Sequence, residues 1–184
     1  MNSRAAILTV CLFAIGLSGQ PKSRLPQFGD YQTQDTFKGR LVVPLFNRPA
    51  EREYRTKIRQ GVINGWGVTE AAAEDSRPGP NFAGHYLIIK WPCGSPCMMA
   101  AIVDATTGRI FPPPFHGAGD GYFWVPALWS FPAEGPPILD YRINSRLLIA
   151  EICEHPDERF GTYYFVMEDS GLRLIRTALR PSSR

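Results

Sequence analysis

The chain has 184 residues, 44% of them apolar and 20% charged, with 20 Lys+Arg against 17 Asp+Glu for a formal net charge of +3. That composition excludes a disordered chain, and so small a positive excess argues against a nucleic-acid binder. Gly and Pro number 17 each, a density of turn formers that excludes a long helical bundle or coiled coil.

In chain order, residues 1–19 read as a secretory signal peptide. Arg4 gives a short positive stretch, residues 5–17 are apolar except for Thr9 and Gly16, and Ser18 and Gly19 are small. The apolar run is too short to cross a bilayer as a helix, which takes about 20 residues, so no stable membrane span is expected after cleavage. Cys11 lies in the middle of that run, without the small residue before it that lipidation requires. The expected location is secreted or periplasmic, an oxidising setting for the three cysteines that remain: Cys93, Cys97 and Cys153. Three is odd, so one thiol is left over or pairs with another chain.

Residues 20–40 are polar, with Pro21, Pro26 and Gly29, and read as an extended N-terminal arm; residues 41–180 read as a single β-rich domain. Residues 41–46 are a short apolar run expected to form a strand. Residues 50–62 are the main helix. Pro49 suits its first turn, Glu51 and Glu53 complement its positive end, and Tyr54, Ile58 and Val62 form a narrow apolar stripe. Gly61, Gly65 and Gly67 are expected to stop it, with one or two further helical turns over residues 68–75.

Residues 86–91 and 98–104 form an expected β-hairpin around a Pro/Gly/Cys loop, and Thr106-Thr107-Gly108 turns the chain into a third strand at 109–111. Pro112, Pro113 and Pro114 end that strand. Residues 115–137 form a long loop rich in aromatics. Residues 138–143, 146–152, 162–168 and 172–176 alternate with turn signals as a four-stranded meander. The expected fold class is α+β: antiparallel hairpins and a meander in one sheet system, with one main N-terminal helix packed on it.

The densest chemical segment runs from Asn81 through His85 and Tyr86 to Trp91, Cys93 and Cys97. Asn81-Phe82-Ala83-Gly84-His85-Tyr86, then Trp91-Pro92-Cys93-Gly94-Ser95-Pro96-Cys97, then Ile102-Val103-Asp104 with Thr107-Gly108, resembles a family of uncharacterised secreted bacterial proteins. The family's hallmark is G-P-N-F-A-G-H-Y, W-x-C-G-x-x-C and I-V-D-x-x-T-G. The resemblance covers about 100 residues and departs at Pro92, where glycine is more usual, and in the 115–137 segment. It implies secretion and a β-rich domain, and no activity.

Cys93 and Cys97 sit at the two ends of a hairpin loop, within reach of a disulfide that pins it. The rival reading of these residues is a copper or thiol-redox site, with Cys93 and Cys97 as soft sulfur ligands, Met98 or Met99 beside them and His85 as a nitrogen ligand. A Cys–His nucleophile pair would join His85 to Cys97 or Cys153. An envelope hydrolase would use His85 or His116 with nearby carboxylates such as Asp120; His155, Asp157 and Glu158 form another polar loop. No complete catalytic set is present, no cofactor is expected, and the aromatic 115–137 segment suggests a recognition surface. The expectation is therefore a non-enzymatic binding module for a protein or cell-envelope ligand. Its ligand-binding candidates are Asn81, His85, Tyr86, Trp124 and Trp129.

Overall fold

The computed structural model describes residues 24–65, 79–94, 97–113, 124–125, 139–154 and 159–179. The fold is α+β, as the alternation of short apolar runs with turn residues predicts. Among the described residues it contains two four-stranded antiparallel sheets rather than one sheet system.

The first sheet is built from β1 (Tyr86–Gly94), β2 (Cys97–Asp104), β3 (Ile110–Phe111) and β4 (Trp124–Val125). β1 lies on one edge of β2, and β3 and β4 lie on the other. The second sheet follows chain order: β5 (Leu139–Tyr141), β6 (Leu147–Glu154), β7 (Arg159–Glu168) and β8 (Gly171–Leu179). The expected hairpin and meander are thus present, with longer strands than the apolar runs alone mark out.

Side-chain alternation sets the layers. Tyr86, Ile88, Ala100, Ile102 and Phe111 of the first sheet pack against Leu139, Leu148, Ala150, Tyr163, Phe165 and Met167 of the second, with Phe82 among them. The opposite face of the first sheet, including Leu87, Ile89, Trp91, Ala101 and Val103, packs under Ile58 and Val62. The first sheet is therefore buried on both faces, and its strands read as continuous apolar runs, Leu87-Ile88-Ile89 and Ala100 to Val103. The outer face of the second sheet, with Leu147, Tyr164 and Val166, is partly covered by Phe28 and Tyr31.

The helical region divides at Tyr54 into α1 (Pro49–Glu53) and α2 (Arg55–Asn64). Glu51 secures the start. Its Oε2 accepts the Asn47 and Arg48 amide N–H groups at 2.7 and 2.8 Å, and the side chain is buried. The Tyr54–Ile58–Val62 stripe faces the sheet as its spacing predicts. Gly61 does not stop the helix. It is buried inside α2, where a Cβ would overlap the Ile89 side chain, so its role is close approach of helix to sheet. Gly65, at φ 97°, is the terminator.

Residues 41–46 do not form a strand. They run as a strap whose Val42 and Leu45 amides donate to the Ala105 and Gly108 carbonyls at 3.0 and 2.8 Å. Earlier in the arm, residues 28–31 form one 3-10 turn. Gln32 bridges Ser145, and the Phe37 amide donates to the Gly84 carbonyl at 2.8 Å. One N-terminal segment thus runs from the outer face of the second sheet to the outer face of the first. No helix among the described residues is long and apolar enough to cross a membrane. The expected signal peptide and the turns at 68–75 lie outside the described residues.

Candidate functional site

The Asn81–Tyr86 turn is held by the backbone of three elements. The Ala83 and Gly84 amides donate to the Arg142 and Ile143 carbonyls, and Phe82 and Tyr86 exchange main-chain bonds. Ala83 (φ 45°) and Gly84 (φ 81°) are both left-handed, the tight geometry that turns the chain into β1. Asn81 is spent on this architecture. Its Nδ2 donates to the Ile88 carbonyl at 3.1 Å and its Oδ1 accepts the Ile88 N–H at 2.8 Å, completing the β1 edge as a neighbouring strand would.

Tyr86 is buried between the sheets, its ring edge-on to Phe111 with centroids 6.1 Å apart. It is a core residue, not the ligand contact its place in the motif suggested. Burial, and then the Asp104 and Asp169 carboxylates, push its phenol up. Of the Asn81, His85 and Tyr86 set, Tyr86 is buried and Asn81 and His85 are half-buried, the His85 side chain being 39% exposed.

His85 faces a partner that spacing along the chain does not reveal. Tyr86 pairs with Asp104 across the hairpin, and His85 Nε2 lies 4.0 Å from Asp104 Oδ1. That is ion-pair range for a protonated imidazole and too long for a hydrogen bond. Asp104 is otherwise engaged. Its Oδ1 accepts both the Thr106 amide and the Thr106 hydroxyl at 2.7 Å, and its Oδ2 accepts the Thr107 hydroxyl at 2.7 Å. The I-V-D-x-x-T-G pattern is therefore a carboxylate-tied turn. Gly108 closes it at φ 73°, where a Cβ would overlap the Val43 carbonyl oxygen. An aspartate so committed does not orient His85 as a base-positioning carboxylate would, which weakens the hydrolase reading of this histidine.

Burial alone would push the Asp104 carboxyl up, but the hydrogen bonds from Thr106 and Thr107, with His85 beside it, outweigh burial and hold it below its ordinary 3.8. A carboxyl lowered by folding adds stability that is fully present above the unfolded pKa and is lost as pH falls through the folded one. Asp104→Asn should thus cost about 1–3 kcal/mol at neutral pH. Its stability loss on acidification below about pH 4 should also be smaller than the parent's, as urea midpoints measured from pH 7 downward would record.

The strand separates the remaining candidates. β1 runs from Tyr86 to Gly94, with its register shifted between Pro92 and Gly94, and at about 3.3 Å per residue it carries Cys93 roughly 25 Å from His85. Cys97 pairs with Gly94 at the same far end. The Cys93, Cys97 and His85 metal set and the Cys97–His85 nucleophile pair are overturned by this separation. Among the described residues, no three His, Cys, Asp or Glu side chains are grouped to hold a metal ion.

Trp124, assigned to a loop by its glycine- and proline-rich surroundings, lies in β4. Its backbone pairs with Met99 and that of Val125 with Met98. The aromatic segment therefore joins the first sheet at the cysteine end, not at the Asn81–His85 end. Trp129, His116, Asp120, His155, Asp157 and Glu158 lie outside the described residues.

Sequence reasoning missed Lys90. It is on the inter-sheet face, its Nζ 5.5 Å from the centre of the Tyr141 ring. Burial holds its ammonium below the ordinary value and pushes the Tyr141 phenol well up. The available signal was one lysine inside the otherwise apolar stretch from Leu87 to Trp91. No family model, no curated protein and no solved structure matches this chain.

Proposed function

We propose that this chain is a secreted or periplasmic, non-enzymatic binding module that engages a protein or cell-envelope ligand where the 93–97 hairpin adjoins the aromatic segment. The observation that carries the reading is the pairing of β4 with Met98 and Met99, directly after Cys97, which brings Trp124 of the aromatic segment beside the hairpin. Two further features support it. Asn81 and Asp104, two polar residues of the motif, are consumed by the fold. Cys93 lies beside the hairpin turn, and we assign it to a disulfide, as an extracytoplasmic setting favours. We assign Cys97 as its partner, because the hairpin register sets Cys97 opposite Gly94. The loop such a bond closes is small, and its loop-entropy contribution is correspondingly modest, about 2 kcal/mol.

Trp124→Ala and Trp129→Ala test the binding surface. The expected result is an unchanged circular dichroism spectrum and thermal midpoint, with loss of co-sedimentation with delipidated envelope fragments. Unfolding would make these residues core, and undiminished binding would move the surface elsewhere. Export is tested separately by intact-mass spectrometry of protein recovered from the periplasm or medium. The expected species lacks residues 1–19 and takes up alkylating reagent at Cys93 and Cys97 only after reduction. An intact N-terminus with both thiols free would overturn the location and the disulfide together.

A further inference from the structure

The layer covering the outer face of the first sheet has a charge and surface character that the binding reading does not use. Residues 38–63 carry seven Lys and Arg against Glu51 and Glu53. That local excess of five exceeds the formal +3 of the whole chain, so the remaining sequence is net acidic. Glu51 is buried and bound to the Asn47 and Arg48 amides, which removes half of the layer's negative charge from its surface. Arg52, Arg55, Lys57 and Arg59 are exposed, and the Arg59 guanidinium lies over the Phe46 ring, 5.2 Å from its centre.

Exposed aliphatic side chains share this layer. Seven large hydrophobic residues are exposed among the described residues, and four of them, Val42, Val43, Leu45 and Ile63, belong to the strap and α2. Val43 is 66% exposed and Ile63 68%. Leu41, Phe46, Ala50, Tyr54, Ile58 and Val62 are turned inward onto the sheet. The exposed side chains of strap and helix therefore belong to the solvent surface of the layer whose inner side covers the sheet. Helical spacing puts Ile63 four residues after Arg59, on one outward strip.

We propose that this layer docks on an anionic lipid leaflet, its cations at the phosphate level and Val43 and Ile63 inserted below the headgroups. Each cation near such a surface strengthens binding by about fivefold, and protruding aliphatic residues add affinity because the acyl boundary takes them out of water. The combination decides the partner class. A nucleic acid rewards the cations alone, leaving exposed Val and Ile without benefit. A second copy of the chain would set one cationic layer against another. The proposal rests on residues 38–63 and stands whether or not the aromatic segment binds a ligand.

The test is sedimentation of the purified full chain with phosphatidylcholine vesicles, with and without phosphatidylglycerol. The chain should pellet with the phosphatidylglycerol vesicles and be released by salt. Arg55→Glu with Lys57→Glu should lower partitioning more than tenfold. Val43→Ser with Ile63→Ser should lower it several-fold while leaving retention on a heparin column unchanged. Circular dichroism of each variant confirms that the fold is intact. Equal binding to both vesicle types, or charge-reversed protein that binds like the parent, overturns the proposal. Serine variants that bind vesicles like the parent also overturn it, and leave a general polyanion face of the kind a nucleic acid would occupy.

Discussion

Phe82→Ala should lower stability by about 3–5 kcal/mol, a large share of the 5–15 kcal/mol that holds a domain together. Phe82 is fully buried where the two sheets and the motif turn meet. Its ring lies 6.4 Å from that of Tyr86 and edge-on to that of Tyr141 at 6.1 Å. Truncation would leave a cavity bounded by large rings, and the turn beneath it is fixed by the Phe82–Tyr86 main-chain exchange, so the walls have little freedom to collapse. Urea unfolding is the measurement: the midpoint should fall with the slope unchanged. Phe82→Leu, which keeps most of the volume, should cost under about 1.5 kcal/mol. Near-equal effects from the two variants would show that the core is not centred on this ring.

The position of Phe82 illustrates what could be read from residue order and what could not. The turn motif and the strand that follows it were legible, because Gly84 and the apolar run after it mark a sharp entry into a strand. Which side of β1 faces the helix was not. Leu87, Ile88 and Ile89 are all apolar, so period-two alternation carries no signal in a sheet buried on both faces. The second sheet, with a partly exposed outer face, should have been easier, and its four strands were found with ends displaced by a few residues.

The strap at 41–46 failed for a different reason. Val42, Val43 and Leu45 have strand-like composition, yet their partner is the turn that ends β2, not another strand. Local propensity cannot distinguish those two partners. At the site, residue types were informative and distances were not. His85 and Cys93 are near in sequence, and an extended strand is the conformation that carries such neighbours furthest apart. The His85–Asp104 approach required the hairpin register, which the Pro/Gly/Cys loop signals only loosely.

Gly84→Ala tests the junction on which this architecture turns. Gly84 has φ 81°, and a Cβ built there would lie 2.5 Å from the Asp35 carbonyl oxygen. The neighbour is backbone of the N-terminal arm, so the contact cannot be relieved by rotating a side chain. A left-handed alanine costs about 1–2 kcal/mol, and displacing the arm adds about 1–3 kcal/mol. Ala83→Gly is the control one residue away. It relieves the strain of a non-glycine residue at φ 45° but gives up a buried methyl and gains chain entropy in the unfolded state. Those effects oppose each other, so the variant should stay within about 1 kcal/mol of the parent. The two substitutions also differ in where the damage appears. Gly84 donates to Ile143 at 2.6 Å and accepts from Phe37 at 2.8 Å, so one residue ties arm, first sheet and second sheet together. In Gly84→Ala, hydrogen exchange should accelerate at the Thr33 and Phe37 amides before the β1 and β2 amides respond. Uniform acceleration across both sheets would mean that the arm has no independent opening, and that the clamp is part of the core and not a strap laid over it.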